Sequence, residues 1–213
     1  LKNQERVNSI RDFCQVFSQQ QKNKIDDGQS LKILMVTSYP PYPPNSGAPM
    51  RMFEEIKYLG SRHHLVVVSF IFSEEDYSIE TELADYCDRA IMVMLGAPYA
   101  QRKPNDPKQV HRWHTWNMRK ILEELEVVDF DVVLFDFIYM APYVDLFEGA
   151  YKVLEEHNIE SNLLKQCAEA SQENSQLEKV AADVDAVKAF LDAKKETVLL
   201  QDYEKRTWPK FDL

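Results

Sequence analysis

Glycine is scarce in this chain: five of 213 residues, and none of them builds a Gly-x-Gly-x-x-Gly turn behind an apolar run. A nucleotide-dependent oxidoreductase therefore ranks low among the candidate functions. Cysteine is equally thin. Cys14, Cys87 and Cys167 stand far apart, without metal-ligand or redox-motif spacing, and read as buried or incidental thiols in a reducing compartment. No apolar run approaches the ~20 residues that cross a bilayer. The chain opens on Leu1 with no signal-peptide pattern, which predicts a cytoplasmic protein and an excised piece of something longer. Positive charge is also in deficit: 25 Lys and Arg against 35 Asp and Glu give a net charge of −10. Phosphate neutralisation needs a basic surface, so a general nucleic-acid binder is excluded.

What is present is the composition of a folded domain, 45% hydrophobic and 11% aromatic, long enough to form a core without staples. The organising stretch is Leu31–Arg62. Leu31 to Val36 is apolar except for Lys32, the pattern of a strand buried on both faces. Ser38 to Gly47 then holds four prolines, which remove backbone donors and exclude helix or ladder. Beyond Gly47 the period changes: Met50, Phe53, Ile56 and Leu59-Gly60 predict an amphipathic helix closed by glycine, with Ser46 at the N-cap and Pro49 in the first turn. Strand, stiff loop and helix together are the first unit of a doubly wound parallel α/β domain, whose ligands gather at the carboxyl ends of the strands. The free N–H groups of the first helical turn, approached past Gly47 and Ala48, form an anion-ready site that Arg51 can join. The plainer alternative is that Gly47 only turns the chain and Arg51 is solvated.

Along the rest of the chain, residues 1–30 read as an N-terminal helical segment or linker, with Val7, Ile10, Phe13-Cys14 and Phe17 on one stripe ended by Asp26-Asp27-Gly28. Further strands are expected at His64–Phe70, Ala90–Leu95, Asp131–Asp136 and Tyr151–Leu154. Glu74–Tyr86 is acidic and weakly helical, and Gly96–Lys108 is a candidate mobile loop. Val110–Leu125 reads as one helix with His111, Arg112, His114 and Arg119 on a solvated basic face. The two histidines lack a third ligand, so no metal is expected there. Phe137–Phe147 is a short helix whose aromatics belong to the core or to a sugar pocket. Asp136 falls at a strand end, where sites form. His157 follows another strand end, where it either donates a hydrogen bond to an oxyanion or caps the next helix. From 159 to 208 the chain is mainly helical, with Leu177, Val184, Leu191 and Val198 spaced by seven. That is a helical hairpin packed on the sheet or, less simply, a dimer seam. Lys210-Phe211-Asp212-Leu213 reads as the entry to a further strand.

The pattern ILMVTSYPPYPPNSGAPMR followed by LGSRHHLVVVSF resembles the amino-terminal domain of GT-B glycosyltransferases, especially family 4. In this chain the Gly-Gly-x-x-Arg-like turn of that family reads Gly47-Ala48-Pro49-Met50-Arg51, with alanine at the second glycine. Val153 to Ser161 resembles the family's strand-end His-Asn segment. The resemblance implies half of a GT-B architecture, a Rossmann-like domain over 31–213 whose donor-binding partner domain is absent. It implies transfer of a sugar from a nucleotide-sugar donor to a hydroxyl of a glycan or lipid-linked acceptor, with retention, and no turnover by this half alone. By the same resemblance His157 is the catalytic residue, and Gly47, Ala48, Arg51, Asp136 and Asn158 bind substrate. No metal or other cofactor is implied, and a peripheral membrane contact is left open. The alternative from another class is a non-catalytic flavodoxin-like binding or regulatory module.

Overall fold

The computed structural model describes residues 2–19, 30–174 and 184–213. Helix α1 (Lys2–Ser18) precedes strand β1 (Lys32–Thr37), helix α2 (Gly47–Gly60) and strand β2 (His64–Ile71). A 3-10 turn and the short α3 (Ile79–Glu82) lead to β3 (Arg89–Met94), α4 (Lys108–Trp113), α5 (Trp116–Leu125) and β4 (Val132–Asp136). A 3-10 segment, Ile138–Leu146, connects β4 to β5 (Tyr151–Glu155), followed by α6 (Glu160–Asn174) and α7 (Val184–Thr207). Among the described residues the five strands form one parallel sheet in the order β3-β2-β1-β4-β5. The fold is α/β and Rossmann-like.

Every residue of β1 and β2 is buried, as expected of central strands covered on both faces. Side-chain alternation divides the interior into two layers. Ile33, Met35, Leu65 and Val67 face α2 through Met52 and Ile56. Leu34, Val36, Val133 and Phe135 face the opposite layer with α5, the 3-10 segment 138–146 and Leu200 of α7. Lys32 is buried on the strand because its Nζ reaches the Ser18 carbonyl at 2.9 Å. Helix α1 packs on the second layer through Val7, Ile10, Cys14 and Phe17, and Arg11 chelates Glu124 of α5. Asp26-Asp27-Gly28 lie outside the described residues.

Several local expectations change. The buried stripe of α2 runs through Met52 and Ile56, while Met50 is 52% exposed. Gly60 is not a left-handed cap. Ser61 after it is right-handed, and glycine is needed because a Cβ would lie 1.8 Å from the Tyr86 carbonyl oxygen. The helix expected over 110–125 is broken at His114. Thr115 caps α5 by accepting from the Met118 N–H at 3.3 Å. The Tyr143 hydroxyl donates to the Trp113 carbonyl at 2.6 Å and accepts from the Thr115 N–H at 2.8 Å, satisfying both sides of the break. Tyr139 and Tyr143 are core residues. His114 is not on a solvated face: it stacks on Tyr99, and burial pushes its pKa down. The 96–108 loop is fastened to α7, where Glu196 accepts from Arg102 at 2.8 Å and from the Lys108 N–H at 2.7 Å. On α7 the seven-spaced Leu191 and Val198 face solvent; Leu177 lies outside the described residues. At the other edge the Asp212 N–H bonds the Lys152 carbonyl at 2.8 Å, and the Leu154 N–H bonds the Leu213 carbonyl at 2.9 Å, but Trp208–Lys210 is a 3-10 turn and no strand forms over the last residues.

Candidate functional site

The chain moves outward from β1 to β2 and β3, then returns to place β4 on the other side of β1. The carboxyl ends of β1 and β4 are thus the point where the winding reverses, the position at which open α/β sheets hold ligands. One register row crosses it: Thr37 pairs with Asp136, and Asp136 with Glu155. Strand alternation turns Asp136 and Glu155 to the α2 layer, as it does Leu134, so three strands and one helix contribute to the same corner.

Asp136 is 0% exposed. Its Oδ1 lies 2.7 Å from Nε2 of His157, and its Oδ2 has no partner among the described residues. Burial pushes the Asp136 carboxyl up, while the hydrogen bond to His157, its charge and that of Arg51 pull the other way. His157 is held on its flat side as well. The Phe137 ring stacks on it at 4.4 Å and 9°. Phe137 reaches that position through a φ of 70° and a ψ of 147°, a region nearly confined to glycine that costs roughly 1–3 kcal/mol. Its N–H is satisfied by the Glu155 carbonyl at 2.8 Å. A strained residue fixed at a strand end beside a buried acid–imidazole pair is a marker of function rather than of packing alone.

Arg51 arrives from the first turns of α2. It pairs with Glu155 across the corner and with Glu55, one turn on, at 3.2 Å. Burial also pushes the Glu55 carboxyl up, Arg51 opposes that shift, and Oε2 of Glu55 is buried without a partner among the described residues. Ser38, at the end of β1, carries a similarly unpartnered buried hydroxyl. The corner therefore holds three carboxylates, Glu55, Asp136 and Glu155, against one guanidinium and one imidazole.

Of the residues singled out by sequence, Arg51, Asp136 and His157 come together here, linked through Glu155. Gly47 is exposed at the start of α2, where a Cβ would meet no described atom within 4 Å. Ala48 behind it packs against both core layers. Asn158 is exposed beside His157. Ser46 occupies the N-cap position of α2, but its side chain accepts no capping bond among the described residues. Glu55, Phe137 and Glu155 are additions. The i, i+4 spacing of Arg51 and Glu55 was a readable signal, and strand alternation could have put Glu155 on the Asp136 face.

On the other face of the same strand end, Glu156 lies with Glu160 and Glu204. The Tyr139 hydroxyl donates to Glu160 at 2.6 Å, and Ser161 donates to Glu204 through its N–H at 2.9 Å and its hydroxyl at 2.5 Å. Glu204, from α7, thereby satisfies a free amide at the start of α6. Burial, with the charges of Glu204 and Glu160, pushes Glu156 up to about 7, opposed by a hydrogen bond from Trp208.

Two surface grooves lie elsewhere. One, of about 480 Å³, is at the amino ends of β4 and β5. The other, of about 600 Å³, lies between α1 and α5. Neither contains a residue of the corner. Among the described residues no group of three or more His, Cys, Asp or Glu could hold a metal ion, and no helix is long and apolar enough to cross a membrane. No protein-family model and no curated protein sequence matches this chain.

Proposed function

We propose that this chain is the acceptor-side half of a GT-B glycosyltransferase of family 4 type, moving a sugar from a nucleotide-sugar donor to an acceptor hydroxyl on a glycan or lipid-linked substrate. The observation that carries the reading is the Asp136–His157 pair, held at the winding reversal by the Phe137 stack and tied to α2 through Arg51 and Glu155. Such a corner offers a positioned proton-transfer group beside a helix amino terminus, which suits a reaction between a hydroxyl and a phosphate-activated carbon. In this reading Gly47 and Ala48 border the donor phosphate, Arg51 and Asn158 flank the acceptor, and a second α/β domain supplies most nucleotide contacts. Closure of the two halves brings the reactants together. A cytoplasmic setting, with peripheral contact at a membrane where the acceptor is lipid-linked, belongs to the same proposal.

The test is transfer of labelled sugar by the two-domain enzyme carrying Arg51→Ala or His157→Ala. Each change is expected to lower kcat/KM by at least tenfold. Activity within twofold of the parent for both removes these residues from the site. This half alone, given nucleotide sugars and hydroxyl acceptors, is expected to give no product.

A non-catalytic α/β binding module is the second reading. The observation favouring it is that Arg51 is already satisfied by Glu55 and Glu155. Binding of a protein partner by this chain, with no sugar transfer by the two-domain form, favours the module; transfer that is lost with His157→Ala favours the transferase.

A further inference from the structure

We infer that Tyr39 and Phe72 form a stacking subsite for a neutral sugar chain, so that the acceptor is an oligosaccharide laid along the carboxyl edge of the sheet from the Asp136–His157 corner. The inference deepens the transferase reading, and its functional meaning rests on that reading.

Four adjacent strands each deliver a ring at their exit. In sheet order these are Phe72 after β2, Tyr39 after β1, Phe137 after β4 and His157 after β5. The rings form a connected row. Phe137 stacks on His157 with centroids 4.4 Å apart, and Tyr39 meets Phe137 edge-on at 5.3 Å. Trp113 of α4 then links Tyr39, at 5.4 Å, to Phe72, at 5.9 Å. Phe137 and Trp113 are each only 5% exposed and belong to the wall. Tyr39 is half-buried and Phe72 is 48% exposed, so these two offer ring surface to a ligand.

Both are fixed before anything binds. The Tyr39 carbonyl accepts from the hydroxyls of Thr37 and Ser69, each at 2.9 Å, and its ring is wedged between Phe137 and Trp113. The Phe72 N–H donates to Oδ2 of Asp76 at 3.1 Å. A platform held in this way loses little freedom when a partner stacks on it.

The rim decides what the platform takes. The Tyr39 hydroxyl makes no hydrogen bond among the described residues. Arg112 is exposed, lies over Trp113 at 5.6 Å and has no ion pair among the described residues. Glu74 and Glu75, also exposed, follow close behind Phe72. A hydrocarbon tail laid here would strip water from the hydroxyl and the guanidinium without replacing their bonds. An anionic chain would meet the two glutamates. An uncharged pyranose has an apolar C–H face for the rings and hydroxyls at its edge for the polar rim. Length points the same way. Strands stand about 4.8 Å apart, so the exits of β5 and β2, three spacings apart, are separated by roughly 14 Å, a span for a chain rather than a single sugar.

The test uses this chain with linear glucose, mannose, galactose and N-acetylglucosamine oligosaccharides, from single sugar to tetramer, and reads the ring signals of ¹³C-labelled Tyr and Phe by NMR. At least one series is expected to shift the Tyr39 and Phe72 rings and to bind more tightly as the chain lengthens. Phe72→Ala should weaken tetramer binding about five- to tenfold and Tyr39→Phe about threefold, both with the backbone amide spectrum of the folded parent. Rings that stay unmoved in every series, or tetramer affinity unchanged in Phe72→Ala, overturn the inference. Movement of these rings by dodecylphosphocholine micelles but by no sugar assigns the platform to a lipid and overturns it as well. In the two-domain enzyme the loss in Phe72→Ala should appear in KM for a chain acceptor rather than in kcat. Chain binding at these rings with no sugar transfer by the two-domain enzyme leaves the subsite standing and overturns the transferase reading instead.

Discussion

Replacing Glu156 with glutamine should make the fold more stable at alkaline pH and leave it nearly unchanged at acid pH. Glu156 sits at the end of β5 with Glu160 and Glu204 as its charged neighbours, and its carboxyl is pushed from the ordinary 4.5 up to about 7. The folded chain thus binds this proton more tightly than the unfolded chain. Between those two values the native state holds the extra proton, so stability falls as pH rises through the window. Below pH 4.5 the penalty is absent, and above about pH 7 it is complete. Such a shift corresponds to roughly 3 kcal/mol for a group fully withdrawn from water. Glu156 is only partly buried, and discounting for solvent screening leaves roughly 1–2 kcal/mol. With a urea slope on the order of 2 kcal/mol/M, Glu156→Gln should raise the unfolding midpoint by about 0.5–1 M at pH 8 and by almost nothing at pH 4. Any offset from the amide itself is the same at both pH values and cancels in the comparison. A variant-to-parent gap that is the same at the two pH values refutes the buried-carboxylate account.

Four further substitutions test local packing and hydrogen bonding. Gly60→Ala, which in an ordinary helix interior would gain about 1 kcal/mol, should instead lose roughly 1–3 kcal/mol, because the new methyl meets the Tyr86 carbonyl oxygen; Gly47→Ala, facing open space, should be neutral or slightly stabilising, and paired thermal melts decide both. Tyr143→Phe should cost roughly 1–3 kcal/mol in urea unfolding, since it strands the Trp113 carbonyl and the Thr115 N–H at the α4–α5 break. Met35→Ala, in the fully buried central strand, should cost about 2–5 kcal/mol, read in the same assay.

Strands announced themselves because burial on both faces demands unbroken apolar runs, and β1, β2 and β4 lie within a residue or two of the stretches that carry them. The reversal of winding between β1 and β4 was not written in any one segment. It follows from which strand edges remain open after β1–β3 assemble, a tertiary choice. The break at His114 was hidden for a similar reason. Val110, Trp113 and Leu125 keep helical spacing across it, while the groups that satisfy the broken backbone come from Tyr143, about thirty residues away in sequence. Trp116, the first residue of α5, is 57% exposed because the helix restarts there in a new phase. Asp136 and His157 could be flagged singly as strand-end residues, but their bond depends on β4 and β5 being neighbours. Arg51 was legible as a cation near a helix start. Its helical partner Glu55 was legible from the i, i+4 spacing, but the pairing with Glu155 was not, since Glu155 reaches Arg51 only through the β4–β5 pairing.

The consecutive acids at the end of β5 show how one strand serves both halves of the structure. Alternation sends Glu155 to the α2 face, where it meets Arg51 and the corner containing Asp136. The same rule sends Glu156 to the α7 face, where it meets Glu160, Glu204 and Trp208. The next residue, His157, swings back to Asp136. A shift of the β4–β5 register by one residue would exchange the two faces, sending Glu156 toward Arg51 and Glu155 into the acidic cluster under α7, and would turn Val153 and Leu154 to the wrong layers. The register is therefore constrained by the apolar side chains rather than by the two acids. The geometry of the Asp136–His157 pair in turn depends on this edge strand being correctly seated.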